Sequence, residues 1–277
     1  MRCERLKSCV SNIGTKSVSF DVSVENQFLE HDPSVERVQT PLWLESRWAS
    51  EWMRLKVSPV YWGYGVPHGH GQPVLLVPGF LAGDWMMLEM ARWLRRIGYK
   101  PNHANIVWNT DCPDLTARRL LQRVEGLVKR EGHKVRLIGH SLGGMLSKYV
   151  VQEAPHLIDR VITMGSPFRD LVKAHPAVIG MWDQLKLKRS RVVGRNLKAS
   201  CGTGHCTCGF VRNMILPKSV KPPQYAVYSM KDGVVEWASC QEEIPENNSV
   251  VRGSHIGLIV EPNAYRAVAH RLAQKQT

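Results

Sequence analysis

The stretch Val135-Arg136-Leu137-Ile138-Gly139-His140-Ser141-Leu142-Gly143 decides the fold of this chain. Its first four residues form a short, mostly apolar run typical of a buried strand, and a helical pattern extends from Leu142 to Glu153. Between them stands the pattern G-x-S-x-G, which places a serine on a sharp turn from a strand to a helix. Only small residues fit two positions before and after that serine, because larger side chains would collide with neighbouring elements. Ser141 is therefore the candidate nucleophile.

Strands and helices alternate on both sides of this turn, as in a parallel α/β sheet with helices on both faces. The predicted strands are Val74–Val77, Ile106–Trp108, Val135–Ile138, Val161–Met164, Tyr225–Ser229 and Ser249–Arg252. The predicted helices are Asp84–Ile97, Asp114–Lys129, Leu142–Glu153 and Pro262–Gln274. These elements predict an α/β fold with a mostly parallel central sheet.

The alternation breaks at about residues 168–223, after the fourth predicted strand. This stretch is irregular in pattern, and from Arg169 to Lys221 it holds 11 Lys and Arg against 2 Asp, a local charge of +9. The whole chain of 277 residues carries +13, so the positive charge is concentrated here. Because the strands resume afterwards, we interpret the stretch as an insertion in one domain. Three roles are open for its charge: a solvated face, a preference for an anionic substrate, or docking on an anionic lipid surface.

A serine hydroxyl needs a base to become a nucleophile, and the base needs an orienting carboxylate. In this type of fold the three groups follow the order Ser, Asp or Glu, His along the chain. Asp232 comes just after the strand Tyr225–Ser229, and His255 lies in a glycine-containing loop after the next strand. Both are predicted to meet Ser141 at the carboxyl ends of the strands. The competing acid is Asp170, at the start of the insertion.

The oxyanion that forms during acyl transfer needs two hydrogen-bond donors. The backbone N–H of Leu142, which follows the nucleophile, is one candidate donor. The other lies in the loop after the first central strand, where Gly79 allows a close approach and the N–H of Phe80 is the candidate. Leu81 and Trp85 are predicted to contact an acyl chain.

Four motifs together resemble the α/β-hydrolase superfamily, and within it the chain is similar to small bacterial lipases and esterases. The motifs are Pro78-Gly79-Phe80, Gly139-His140-Ser141-Leu142-Gly143-Gly144, Ser229-Met230-Lys231-Asp232-Gly233 and Gly253-Ser254-His255-Ile256-Gly257. The resemblance covers about Pro73–Ala273 and implies that the insertion is a lid over the active site. Many such lipases have a histidine where this chain has Pro78.

Residues 1–60 match nothing in that family, and we interpret them as an N-terminal extension to a hydrolase domain at 61–277. From Thr40 to Val57, five apolar residues fall at helical spacing: Trp43, Leu44, Trp48, Trp52 and Leu55. This pattern predicts an amphipathic helix. Two interpretations are open for its Trp-rich face: packing on the hydrolase core, or contact with a membrane interface.

The sequence thus predicts a serine hydrolase that cleaves carboxylic esters through an acyl-enzyme and needs no cofactor. Its substrate would be a small acyl ester or a lipid. A thioesterase or acyltransferase is the alternative enzyme, because the same acyl-enzyme can form from a thioester or be resolved by an alcohol. A binding protein that keeps the hydrolase fold without catalysis is the alternative from another class.

Composition sets the remaining expectations. No secretory core follows the basic start of the chain, and no apolar run is long enough to cross a bilayer, so a cytoplasmic protein is expected. No nucleic-acid partner is expected, because only Trp182 and Phe210 in the insertion could stack on bases. Cys201, His205, Cys206 and Cys208 are too compactly spaced to predict a zinc site.

Overall fold

The computed structural model has a central sheet of six parallel strands in the order β2-β1-β3-β4-β5-β6. It describes residues 42–169, 174–193, 209–215 and 222–274. The strands are β1 Pro73–Val77, β2 Lys100–His103, β3 Val135–His140, β4 Ile158–Met164, β5 Gln224–Ser229 and β6 Asn248–Val251. The predicted parallel α/β architecture is therefore confirmed.

Seven α-helices and several short 3-10 helices connect and cover these strands in the described part of the chain. The α-helices are α1 Trp48–Val57, α2 Leu88–Arg96, α3 Pro113–Glu131, α4 Leu142–Glu153, α5 Pro176–Val193, α6 Gly209–Ile215 and α7 Pro262–Ala273. A 3-10 helix, Leu42–Arg47, leads directly into α1. Among the described residues, none of these helices is long and apolar enough to cross a membrane.

The core lies on both faces of the sheet, as the continuous apolar strands require. Every residue of β1 and β3 is buried. One cluster of buried side chains joins the sheet to α1, α2 and α7, and a second joins it to α3, α4 and α6. The two layers of helices leave the carboxyl ends of the strands as the edge where loops can build a site.

The second strand differs from its prediction. It is Lys100–His103, whereas the predicted Ile106–Trp108 forms no strand, and Val107 and Trp108 are exposed. β2 pairs only with β1 and so lies at the edge of the sheet. Since an edge strand has no second neighbour to bury it, its residues are polar and the apolar signal is missing.

The insertion is more regular than its pattern predicted. Its described parts include α5 and α6, where the sequence indicated irregular structure. The ring of Phe210 in α6 stacks on Tyr149 of α4 with centroids 6.1 Å apart, and the Phe210 N–H donates to Asp114 Oδ1 at 2.9 Å. These contacts with the core stabilise a helix only seven residues long, which propensity alone would not.

The N-terminal helical stretch contacts the core through Leu55, whereas its three tryptophans stay exposed. Trp43 is 69% exposed, and Trp48 and Trp52 are also exposed. The buried side chains are instead Glu45, in the 3-10 helix, and Glu51, in α1, together with Leu55. The expectation that the Trp face packs on the core is therefore wrong. Carboxylates are buried only where donors meet them, so this face must have polar partners.

Candidate active site

Ser141 occupies the turn between β3 and α4 in a strained conformation. Its φ is +52° and its ψ is −124°, a region that non-glycine residues rarely adopt. Its backbone N–H donates to the carbonyl oxygen of Met164, at the end of β4, at 2.8 Å. Strain of this kind persists only where the surroundings over-determine it. The predicted sharp turn from strand to helix is confirmed.

The glycines around Ser141 are required by close packing, as the sequence predicted. A Cβ atom on Gly139 would lie 2.4 Å from the carbonyl oxygen of Gly143. One on Gly143 would lie 2.2 Å from the carbonyl oxygen of Val77, in β1. Real Cβ atoms do not approach backbone so closely, so α4 can start against β1 and β3 only with glycine at these two positions.

Asp232 and His255 lie side by side in loops after β5 and β6. The Nδ1 atom of His255 is 2.7 Å from Oδ2 of Asp232, and both side chains are buried. The other oxygen of Asp232, Oδ1, accepts from the backbone N–H groups of Val234 and Val235, each at 2.9 Å. The carboxylate is therefore held by its own turn while it binds the imidazole, which leaves Nε2 as the nitrogen that can exchange a proton with a substrate.

Two charges act on His255. Burial lowers its pKa, but the charge of Asp232, the hydrogen bond to Asp232 and the charge of Glu45 outweigh burial and raise the pKa above its ordinary value. The ring of His140 packs against that of His255 with centroids 4.9 Å apart, and its Nε2–H donates to the His255 carbonyl oxygen at 2.9 Å. Burial lowers the pKa of His140 to about 3, so this ring is a neutral neighbour.

Gly165 connects the serine turn to the Asp–His pair. It follows Met164, which accepts the Ser141 N–H, and its φ is +56°. A Cβ atom on Gly165 would lie 3.2 Å from His255 Nδ1 and 3.3 Å from Asp232 Oδ2. The backbone thus passes directly against the pair, and sequence analysis had not singled out this residue.

We expect Gly165→Ala to lower the free energy of unfolding by about 3 kcal/mol, combining left-handed backbone strain with overpacking. Its methyl group would lie 2.8 Å from Cδ1 of Leu258. Urea denaturation measures the change. Gly126→Ala is the matched control, since Gly126 is exposed in α3 with open space around its Cα, and it should gain about 0.5–1 kcal/mol. Equal stability of Gly165→Ala and wild type would contradict this reading of the backbone.

The loop after β1 lies against Ser141, as the oxyanion prediction requires. A Cβ atom on Gly79 would be 3.0 Å from the Cβ of Ser141. The buried Asn109 holds this loop. Its side-chain Nδ2–H donates to the Pro78 carbonyl oxygen at 2.9 Å, and its backbone carbonyl oxygen accepts the Leu81 N–H at 3.1 Å. Sequence analysis missed Asn109, which stands in a stretch without a motif.

The other candidate residues lie in this loop or next to it. Leu142 is the first residue of α4, where backbone N–H groups have no partner within the helix. Phe80 packs against Trp182 of α5 with ring centroids 5.0 Å apart, so α5 reaches the loop after β1. Leu81 is half-buried with φ +60°, and the half-exposed Trp85 packs edge-on to Trp108 at 5.9 Å.

Two buried carboxylates from the N-terminal segment bind the same loops and were also missed. Glu45 accepts the backbone N–H groups of Gly233 at 3.1 Å and His255 at 3.0 Å. Glu51 accepts from the N–H and the hydroxyl of Ser254, at 3.0 and 2.8 Å. No motif marks these glutamates, because their partners are about 200 residues away in the chain.

Two other sequence predictions lie outside the described residues. Asp170, the competing acid, is one of them. The cysteines and histidine at 201–208, weighed as zinc ligands, are the other. The described part of the chain has no group of three or more His, Cys, Asp or Glu side chains that could hold a metal ion.

Comparison with known proteins identifies the family to which this chain is similar. The family model for lecithin:cholesterol acyltransferase matches residues 73–220. The chain is also 36% identical over 106 residues to a triacylglycerol lipase of Pseudarthrobacter phenanthrenivorans and, at the same identity and length, to one of Burkholderia plantarii. These matches cover 35% of this chain, and they span only 33% and 30% of the length of the two relatives.

Solved structures support the fold. A metagenome-derived lipolytic enzyme is 14% identical with a TM-score of 0.52, covering 75% of this chain and 94% of its own. The monoacylglycerol lipase of Paleococcus ferrophilus is 15% identical with a TM-score of 0.50, covering 74% of this chain and 96% of its own. At such identities the likeness concerns architecture, and it confirms the predicted α/β-hydrolase fold.

Proposed function

Since the chain belongs to the lecithin:cholesterol acyltransferase family, we propose that it is a serine hydrolase that cleaves carboxylic esters through an acyl-enzyme. The observation that carries this proposal is the buried hydrogen bond of 2.7 Å between His255 Nδ1 and Asp232 Oδ2 beside the strained turn of Ser141. A nucleophile, a base and an orienting carboxylate are the three groups that acyl transfer needs.

In the proposed reaction, Ser141 Oγ attacks the ester carbonyl carbon while His255 Nε2 takes the hydroxyl proton. The tetrahedral intermediate collapses when the bond to the alcohol oxygen breaks, and His255 gives its proton to that oxygen. Water then attacks the acyl-enzyme through the same base and releases the acid and the free serine. Asp232 holds the Nδ1–H throughout, so that Nε2 faces the reaction.

The backbone N–H groups of Phe80 and Leu142 would bind the oxyanion, and Leu81 and Trp85 would contact the acyl chain. The contact of Gly79 with Ser141 supports the first role, since it places the loop against the nucleophile. The contact between Phe80 and Trp182 supports the role of residues 168–223 as a lid that lies over the acyl site. Its positive charge would suit an anionic lipid surface or substrate.

The domain assignment remains part of this proposal. Residues 61–277 would form the hydrolase domain and residues 1–60 an extension. The described part of that extension binds the domain through Glu45 and Glu51, which accept from the loops around Asp232 and His255.

A second candidate function is acyl transfer to an alcohol, or hydrolysis of a thioester. The family's own description, an acyltransferase, is the observation that favours it. Both reactions use the same acyl-enzyme and differ only in the bond that forms it or the group that resolves it. Product analysis with an added long-chain alcohol, and turnover of an acyl-CoA, separate these alternatives from simple ester hydrolysis.

We expect the purified protein to hydrolyse p-nitrophenyl esters and to bind a fluorophosphonate probe covalently. The apolar side chains at the oxyanion loop should raise kcat/KM for medium or long acyl chains over acetate by at least about tenfold, because burying only two methylenes contributes roughly 1.6 kcal/mol. Initial rates across an acyl series from two to sixteen carbons measure this preference. A protein that is inert toward all esters and unlabelled by the probe would contradict the proposed function.

A further inference from the structure

Two carboxylates outside the proposed catalytic groups converge on the loops that carry Asp232 and His255. Glu45 is 7% exposed and Glu51 is 1% exposed. Burying a carboxylate costs several kcal/mol unless donors compensate for the lost water. Such a residue is therefore retained for what it binds, and here both side chains bind backbone close to the proposed base.

Glu45 bridges the two loops. Its Oε1 accepts the N–H of Gly233, which follows Asp232, and the N–H of His255 itself, while Oε2 accepts the N–H of Ile256 at 2.8 Å. One side chain thus ties the backbone of the acid loop to that of the histidine loop. Movement of either loop relative to the other would break hydrogen bonds to a buried charge, which are among the stronger ones in proteins.

Glu51 fixes the residue before His255. It accepts from both the N–H and the hydroxyl of Ser254, and that hydroxyl in turn accepts the N–H of Gly257 at 3.0 Å. A Cβ atom on Gly257 would lie 1.6 Å from Glu51 Oε2, so only glycine leaves room for this carboxylate. The loop around His255 is shaped to receive Glu51.

We propose that Glu45 and Glu51 are positioning residues that lock the loops of Asp232 and His255 in the geometry that proton transfer requires. This inference rests on the proposed function, whose base and acid it concerns. It also gives the N-terminal segment a role in the reaction, although that segment precedes the hydrolase core. Neither glutamate touches the reacting atoms: Glu45 acts through the backbone of both loops, and Glu51 acts through Ser254 in the histidine loop.

The charge of Glu45 supplies a readout that a purely structural role would not move. Among the described ionisable groups, Glu45 and His140 interact with His255, and Cys240 interacts with Asp232, while Glu51 lies one residue further along the histidine loop, on Ser254. His140 has a pKa of about 3, and burial raises the pKa of the Cys240 thiol well above its ordinary value, so both stay neutral in the working range. Asp232 and Glu45 are then the charges that raise the pKa of His255.

Glu45→Gln tests the inference. The amide keeps the size of the side chain but turns one acceptor into a donor that faces a backbone N–H. We expect kcat for ester hydrolysis to fall by about 10- to 100-fold, because small misplacements of a base are costly. KM should stay within about threefold, since substrate contacts are untouched. The acid limb of the kcat/KM profile should move to lower pH, because one charge that raises the His255 pKa is gone.

Glu89→Gln is the matched control. Glu89 is a mostly buried carboxylate that holds the same N-terminal segment elsewhere: it pairs with Lys56 at 2.7 Å and accepts from Trp52 Nε1 at 3.2 Å. Its replacement should lower the free energy of unfolding while Glu45 and Glu51 keep their hydrogen bonds to the two loops, so kcat and the pH profile should not change. If Glu89→Gln and Glu45→Gln lose activity equally, or if Glu45→Gln keeps wild-type kcat and pH dependence, the positioning role is overturned.

Two further measurements keep the test decisive. Proton NMR of the His255 ring measures its pKa without any substrate, and an unchanged His255 pKa in Glu45→Gln would overturn this inference. Ester hydrolysis by the wild type tests the proposed function separately, and a wild type that hydrolyses no ester would overturn that. Should Glu45→Gln fail to fold, Ser254→Ala removes only the hydroxyl bound by Glu51. We expect it to lower kcat by about 3- to 10-fold, and wild-type kcat there would overturn the proposal.

Discussion

Ser141→Ala is expected to lower kcat for p-nitrophenyl ester hydrolysis by at least about 10⁴-fold. Without the hydroxyl no acyl-enzyme can form, and the remaining rate would come from substrate binding and the oxyanion donors alone. The alanine keeps the Cβ atom at a backbone position of φ +52°, so the strain of the turn is unchanged. The free energy of unfolding should therefore differ from that of wild type by less than about 1 kcal/mol.

Ser147→Ala is the control for this variant. Ser147 lies on α4, six positions after Ser141, and its buried hydroxyl donates to the Gly143 carbonyl oxygen at 2.8 Å. Its loss should cost about 1 kcal/mol of stability and leave kcat and fluorophosphonate labelling intact. Ser141→Ala should show the reverse: normal stability, no labelling and no turnover. If Ser141→Ala is labelled and turns over at wild-type rates, the nucleophile is another residue.

The serine turn and the parallel sheet could be predicted because their signals are local. β1 and β3 are buried on both faces, so the sequence of each is a mostly apolar run. The glycines beside Ser141, Gly139 and Gly143, lie within five residues of one another. The contact between Asp232 and His255 could also be predicted from the sequence. Parallel strands bring their carboxyl ends to one edge, so two polar loops after successive strands must lie close together.

The edge strand and the insertion helices could not be read in the same way. β2 has one neighbour in the sheet and polar, partly exposed residues, so no period of two appears in it. α6 is short and is held by contacts with distant residues, among them the stacking of Phe210 on Tyr149, 61 positions earlier. In both cases tertiary contact decides the structure, and a sequence window contains no record of it.

The N-terminal glutamates show the limit most clearly. Hydrophobicity assigns the inner face of residues 42–57 to Trp43, Trp48 and Trp52, which are exposed, whereas Glu45 and Glu51 face inward. Hydrogen bonds from the backbone N–H groups of Gly233, Ser254, His255 and Ile256 compensate for the burial of these two carboxylates. A charged residue at a buried position breaks the local rule, and such violations concentrate where function requires them.

Asp232→Asn is expected to lower kcat by about 10⁴-fold through a change of tautomer. Oδ1 of Asp232 accepts two backbone N–H groups, from Val234 and Val235, so the amide of an asparagine must place its oxygen there. Its NH₂ group then takes the position of Oδ2, 2.7 Å from His255 Nδ1. Because His255 Nδ1 would then have to accept a hydrogen bond from this NH₂ group, the ring proton moves to Nε2. His255 can then no longer take the proton of Ser141.

Steady-state kinetics, with active sites counted by fluorophosphonate titration, measure this loss. Asp159→Asn is the matched control: Asp159 lies near the amino end of β4, away from the site, where it pairs with Arg136 at 3.3 Å and Arg160 at 2.6 Å. It should keep wild-type kcat. A loss of less than tenfold in Asp232→Asn would mean that the hydrogen bond to His255 does not set its tautomer, and the orienting acid would then have to be sought elsewhere, with Asp170 as the next residue to replace.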